Sequence, residues 1–450
     1  MGEPFKCIRR LRGNLVVNFI STRGDQSYGI DDVLAKGIAD DGGLFIPEEL
    51  PYINHEALPA KMSLTDTAEA LLAPYFKESI LQNNLNQIIK ESLYFSIPSV
   101  KILPEKNVWF LELFHGPTAA FKDVGAGFLA SCMSRLNSSE TKPLVVLVAT
   151  SGDTGGAVAA AFHGLPNVKV IILFPKDKVS KRQEKQLTCW GGNILSLTVN
   201  GTFDDCQTLV KDIFIDPKLS ARYRFSSANS INFGRLLPQS IYYAHSSLNH
   251  FRQSGNKANF IIPTGNLGNG LACLLAREMG FPVGEIVLSV NANRLIADYL
   301  NGAEWLPKSS IQTLANAMDV GNPSNMERLS SLFGQANDLK SSISAVSVSD
   351  ENISSEITRI FEKTNTIICP HTATASYTYS QFTDEVKMTQ DWFIAATAHP
   401  AKFETIVEPL IGQKVAIPDD LLALLDKPSK TFIINPDIKE FEQIIIDKSI

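Results

Sequence analysis

Cysteine is sparse in this sequence: 450 residues hold six, Cys7, Cys132, Cys189, Cys206, Cys273 and Cys369, with no CxxC pair among them. That scatter argues against a zinc ribbon or a dithiol redox motif, so no metal is expected, and the thiols read as reduced cysteines of a cytoplasmic protein. Long apolar runs are lacking too. Near the basic N-terminus only Leu15 to Ile20 is apolar, and Asn18 interrupts it. This is shorter than a signal-peptide core, and nothing further on approaches a membrane span. An excess of one charge is also missing: charged residues make up 20% and the formal net charge is −6. No field of that size advertises nucleic acid or an acidic membrane as a partner, although a local cationic pocket needs only a few convergent donors. Internal repeats and low-complexity tails are absent.

What is present is enough apolar material, 44% of a chain this long, to bury a substantial core in two or three domains. Up to about residue 100 the patterning is mostly amphipathic helix, broken by the turn signal Asp40-Asp41-Gly42-Gly43 and the short run Leu44-Phe45-Ile46 before Pro47. Beyond it, apolar runs alternate with helical patterns. The run from Leu144 to Ala149 reads as a strand buried on both faces, and Val168 to Phe174, Ile194 to Val199, Phe260 to Pro263 and Phe393 to Ala398 read as further strands. Thr202 to Asp205 fits a capping box, and Val179 to Cys189 a mostly polar helix whose Lys181, Arg182 and Lys185 make a charged face. The pattern predicts an α/β fold of doubly wound, mainly parallel sheets, with ligands at the carboxyl ends of the strands.

Two loops in that pattern suit anions. TSGDTGGAVAAAF follows the run ending at Ala149, and TGNLGNG follows the one ending at Pro263; each places glycines and free backbone N–H groups at a helix start. Neither is a nucleotide loop. No lysine follows the glycines, and GxxGxG reverses the dinucleotide fingerprint. Asn229, Ser230 and Asn232 precede a helical pattern as caps. Lys122, between the Gly116-Pro117 turn and the small residues Gly125-Ala126-Gly127, is a candidate nucleophile if desolvated or set beside another cation.

The wording HGPTAAFKD around Lys122 resembles the segment that carries the cofactor lysine in threonine synthases, a family of pyridoxal-phosphate enzymes. GIADDGGLFIPEELP, SGDTG, NSIN, PTGNLGN and Pro370-His371-Thr372 resemble further stretches of that family, in its order, so the likeness covers nearly the whole chain. It implies an N-terminal domain over 1–100 and a catalytic region over 101–450 made of two subdomains that bind pyridoxal 5′-phosphate. It implies that Lys122 holds the cofactor aldehyde, that Gly265, Asn266, Leu267, Gly268 and Asn269 cradle its phosphate, and that Thr397 meets its ring nitrogen. Ser151, Gly152, Asp153, Thr154 and Gly155 would face the substrate carboxylate, with Asp153 turned away or toward the cofactor because like charges repel. Asn232 and Arg235 would contact the substrate phosphate. The implied reaction converts O-phospho-L-homoserine and water into L-threonine and phosphate, in a monomer or homodimer. A dehydratase or cysteine synthase would share the lysine and the phosphate loop; the N-terminal stretch and NSIN argue against those. DVGNPSN also resembles a family stretch but suggests no role, and His399 reads as structural. Val124 departs from the family wording, where phenylalanine follows the Lys-Asp pair, which bears on packing of the lysine helix.

Overall fold

The computed structural model describes residues 10–11, 16–103, 106–136, 142 and 144–448. Cys7, Leu15 and most of the basic N-terminal stretch lie outside the described residues. Two sheets dominate. The first has five parallel strands in the order Arg224–Ser227, Leu144–Ala149, Val168–Pro175, Ile194–Val199 and Phe432–Ile434. The second has six, in the order Ser344–Ser347, Val283–Val290, Ala258–Pro263, Trp392–Ala396, Val108–Glu112 and Ser99–Lys101. Only the last pair is antiparallel. Val, Ile and Leu fill the central strands because helices cover both faces, so every residue of Leu144–Ala149 and Ala258–Pro263 is buried.

The expected alternation of strands and helices is present, with the strand expected from Phe393 to Ala398 running instead over Trp392–Ala396. Thr202 caps Phe203–Ile215 through the reciprocal bonds with Asp205. The C-terminal strand Phe432–Ile434 returns to the edge of the first sheet, where helix Ile438–Asp447 buries Phe441 and Ile445.

The N-terminal unit holds less helix than its pattern suggested. Helices Ile30–Lys36, Leu64–Leu72 and Leu85–Ser92 accompany an antiparallel sheet of Gly24–Tyr28, Phe19–Ser21 and Phe45–Pro47. The Asp41 turn makes that sheet possible: Asp41 Oδ1 accepts from Ser21 Oγ at 2.7 Å and from the Gly43 amide at 2.8 Å. The unit shares one apolar core with both large sheets, Phe19 packing edge-on against Phe233 with ring centroids 5.1 Å apart. Such a contact adds about 0.5–1.5 kcal/mol to the area buried. Among the described residues no helix is long and apolar enough to cross a membrane, and no His, Cys, Asp and Glu cluster could hold a metal ion.

Candidate active site

The carboxyl ends of strands from both sheets meet at one cleft, which encloses about 990 Å³ including its open mouth. Strand Leu144–Ala149 delivers Ser151, Asp153 and Thr154 to its wall, strand Arg224–Ser227 delivers Asn229 and Ser230, strand Ala258–Pro263 delivers Gly265, Asn266, Gly268 and Asn269, and strand Trp392–Ala396 delivers Thr397. Lys122 opens helix Lys122–Leu136 on the same wall. Its loop is zipped to the Thr397 loop: the Phe121 amide donates to Thr397 O at 2.8 Å, and the His399 amide donates to Ala119 O at 3.0 Å.

Lys122 is half-buried, its Nζ 5.3 Å from the centre of the Phe121 ring. Burial pushes its ammonium down to about 8; Lys402 and Arg235 add to that, while Asp153 opposes it. This is the desolvated, cation-flanked setting in which a lysine becomes a nucleophile near neutral pH. The next residue, Asp123, fixes the approach to it by accepting from the Thr118 amide at 2.9 Å and the Thr118 hydroxyl at 2.5 Å.

The TGNLGNG loop is shaped for an anion. Leu267 holds a left-handed backbone, φ 62°, at the start of helix Gly268–Glu278, a strained conformation of the sort that collects at functional sites. Asn269 is 5% exposed, and both hydroxyls of Tyr242 and Tyr243 donate to its Oδ1, at 2.7 and 2.8 Å. That fixes the amide and leaves Nδ2 a buried donor without a protein partner. Across the cleft Arg235 donates to Ala228 O, and its Nε is likewise without a partner. Burial brings its guanidinium down to about 10, cationic at neutral pH.

Asp153 departs from the simplest expectation. It lies on the wall, but Lys402 Nζ, on a side chain fully out of solvent, reaches its Oδ1 at 2.8 Å, and Gln183 Nε2 donates to the same oxygen at 3.0 Å. Burial works against its charge, yet Lys402 and Lys122 hold its carboxyl far below the usual carboxylate range. It therefore answers cations within the protein.

Several expected residues stand behind the wall. Gly152 and Gly155 are not on the wall, and their amides donate to Thr150 Oγ1 at 3.0 and 2.9 Å; Thr150, Ser151 and Thr154 are the loop's polar groups on the cleft beside Asp153. Asn232 is not on the cleft wall. It is fully buried: its Oδ1 accepts from the Gly234 amide at 2.9 Å, and its Nδ2 donates to Leu34 O at 3.1 Å and Ser227 O at 3.0 Å. The expected phosphate contact gives way to a cap that ties in the N-terminal unit. Leu267 contributes its turn rather than its side chain.

Lys402 and His371 complete the site, and sequence reading gave neither a role. His371 lines the cleft, its Nε2 accepting from the Ala317 amide at 3.1 Å, and burial lowers its imidazole to about 4. A lysine after an apolar strand and a His-Pro pair is the one signal that could have drawn attention to Lys402.

Comparison with known proteins shows three family models along the chain: Threonine synthase N terminus over residues 18–93, Pyridoxal-phosphate dependent enzyme over 89–391, and Threonine synthase, C-terminal, over 372–445. A threonine synthase of Buchnera aphidicola subsp. Acyrthosiphon pisum is 38% identical over 427 residues, covering 94% of this chain and 98% of that protein. The crystal structure of threonine synthase from Escherichia coli superposes with a TM-score of 0.86 at 32% identity, covering 96% of this chain and 100% of that one. The crystal structure of PLP-bound threonine synthase from Brucella melitensis gives 0.87 at 30% identity, covering 96% and 99%.

Proposed function

The chain belongs to the threonine synthases, within the pyridoxal-phosphate-dependent enzymes, and from that membership we propose how its residues make L-threonine and that O-phospho-L-homoserine is the substrate. The cofactor is pyridoxal 5′-phosphate, which when bound supplies an electron sink for charge developing at the substrate α-carbon. The residues present fit that group. The 265–269 loop offers a helix N-terminus and the unpartnered, buried Asn269 Nδ2 to a phosphate. The neutral hydroxyl of Thr397 would meet the ring nitrogen, and such a partner favours elimination because it does not enforce a protonated pyridine.

Lys122 would hold the cofactor and, as a free amine, takes the Cα proton of the substrate and then a proton from Cβ. Phosphate leaves Cγ as hydrogen phosphate, Cγ gains a proton to become the methyl group of threonine, and water adds its hydroxyl at Cβ. The protons taken from Cα and Cβ and the one given up by water supply Cγ, Cα and the phosphate. Ser151 and Thr154 bind the substrate carboxylate. Arg235, with a free Nε and a planar fork, binds the substrate phosphate and later the leaving phosphate. Asp153 and Lys402 stay paired and set the field around the amine.

The observation that carries this reading is the convergence of Lys122, Arg235, Asn269 and Thr397, from four separate segments, on one cleft. A division near residue 100 is part of the same proposal, supported by two family matches that meet over 89–93. So are a cytoplasmic location, supported by five described cysteines, all free and buried, and a monomeric or homodimeric state. The test is to give the cofactor-loaded protein O-phospho-L-homoserine and measure phosphate and threonine together. Equal release supports the assignment. Phosphate accompanied by 2-oxobutanoate would mean elimination without controlled hydration, and activity only on serine derivatives would move the chain toward the dehydratases.

A further inference from the structure

Arg328 is among the largest fully buried side chains of the protein, and every acceptor it meets is neutral. Its Nε donates to Phe45 O at 2.9 Å, on the N-terminal sheet. Its Nη1 donates to Ser230 O at 2.9 Å and to Asn325 Oδ1 at 2.8 Å, and its Nη2 donates to Ile231 O. The adjacent carboxylate, Glu327, is engaged elsewhere, by Thr22 and Arg23. Burying a cation against carbonyls alone is costly, so a merely space-filling role is better served by an apolar side chain of similar volume.

The acceptors lead to the cleft. Ser230 lies on its wall, and Ser230 Oγ accepts from Asn266 Nδ2 at 2.7 Å and from Asn325 Nδ2 at 3.2 Å. Asn325 Nδ2 also donates to Asn266 O at 3.0 Å, and the Ser324 amide donates to Asn266 Oδ1 at 2.6 Å. The guanidinium thus grips the N-terminal unit with one edge and, through Ser230 and Asn325, the loop that opens helix Gly268–Glu278 with the other. Its planar fork is suited to fixing several acceptors at once. The DVGNPSN stretch, to which sequence reading gave no function, is the segment that delivers Asn325 to this junction.

We infer that Arg328 is a positioning residue for the anion cradle: it makes the N-terminal unit a structural part of the cofactor site by holding Ser230, Asn325 and Asn266 in the arrangement that receives a phosphate. The inference rests on the reading of 265–269 as the cradle for the cofactor phosphate.

The experiment compares full-length Arg328→Met, Arg328→Lys and Asn269→Ala proteins, each freed of cofactor and retitrated with pyridoxal 5′-phosphate, with the melting temperature of each cofactor-free protein recorded alongside. Loss of a network of bonds to a charged group predicts that R328M raises the Kd for the cofactor by about 10- to 100-fold. R328K restores part of the loss, since it keeps the charge but not the fork. An R328M protein with the wild-type Kd overturns the inference, however far its melting temperature falls. If R328M does not fold, R328K is decisive, with a several-fold rise expected and an unchanged Kd overturning the idea. N269A separates the two readings: weak binding in N269A with normal binding in R328M sinks the Arg328 inference alone. Normal binding in N269A with weak binding in R328M sinks the cradle and keeps the hold of Arg328 on the site.

Discussion

Lys402 Nζ and Asp153 Oδ1 stand 2.8 Å apart with side chains 0% and 3% exposed, and the pair bridges the loops at the ends of the two large sheets. Lys402 also donates to Thr118 O at 2.8 Å, just ahead of Lys122. Removing one partner strands the other charge in the interior, so Lys402→Met is expected to cost about 3–5 kcal/mol of stability. The double variant Lys402→Met/Asp153→Asn should recover a substantial part of that. Urea unfolding of the four proteins in the cycle measures the coupling; a single variant within 1 kcal/mol of the parent, by the surface-pair standard of about 0–1 kcal/mol, would mean the pair is not buried in solution.

The depressed ammonium of Lys122 has a kinetic signature. With its folded value at about 8, the amine is protonated below that pH and free above it. An ordinary lysine titrating near 10.4 is almost wholly protonated at pH 8, when half of the Lys122 population would be free. The rate at which cofactor-free protein takes up pyridoxal 5′-phosphate, followed by its visible absorbance, should therefore rise through about pH 8 and level off near pH 9. A rise that continues past pH 10 would show an unperturbed lysine. Lys122→Ala should abolish both the absorbance change that marks reaction of the cofactor with the amine and threonine formation.

Much of this architecture is written locally. Leu144–Ala149 is an unbroken apolar run and Ile194–Val199 an apolar run broken only by Ser196 and Thr198; both become fully buried central strands, and Thr202 announces its helix by a capping box. The edge strands Ser99–Lys101 and Ser344–Ser347 carry exposed or half-exposed residues, so no apolar run marks them. The short N-terminal strands depend on the Asp41 turn and on partners distant in sequence. Among site residues, glycine-rich helix starts are legible because their chemistry is in the backbone. Asn232 misleads because a cap and a ligand donor need the same amide. Lys402 and Arg328 were illegible since a buried cation looks like a surface one until its acceptors, supplied by remote segments, are in place.

Orientation of Asn269 by two hydroxyls predicts a graded loss. Tyr243→Phe removes one donor to Oδ1 while Tyr242 keeps the other. The amide gains freedom to turn, and one neutral hydrogen bond of about 1 kcal/mol translates into a few-fold weaker cofactor binding. Tyr242→Phe/Tyr243→Phe should approach the effect of Asn269→Ala. Equilibrium titration of the cofactor-free proteins tests the order, which fails if the double variant binds like the parent.

Gly265 and Gly164 make a matched pair for asking whether the cradle tolerates crowding. A Cβ at Gly265 would lie 2.6 Å from Met318 Cα and 3.0 Å from Met318 O, both backbone atoms of the segment lining the cleft with Ala317 and Val320. Backbone on one side and the cradle on the other leave no flexible side chain to give way. Gly265→Ala should therefore displace one of them, costing about 1–3 kcal/mol of stability and weakening cofactor binding at least about tenfold. Gly164, by contrast, has φ 78° with open space around it. Its replacement by alanine carries about 1 kcal/mol of backbone strain and should leave cofactor affinity unchanged. Thermal melts together with cofactor titrations distinguish the two substitutions, and equal cofactor affinities in G265A and G164A would show that the 265–269 loop does not need the close approach of Met318.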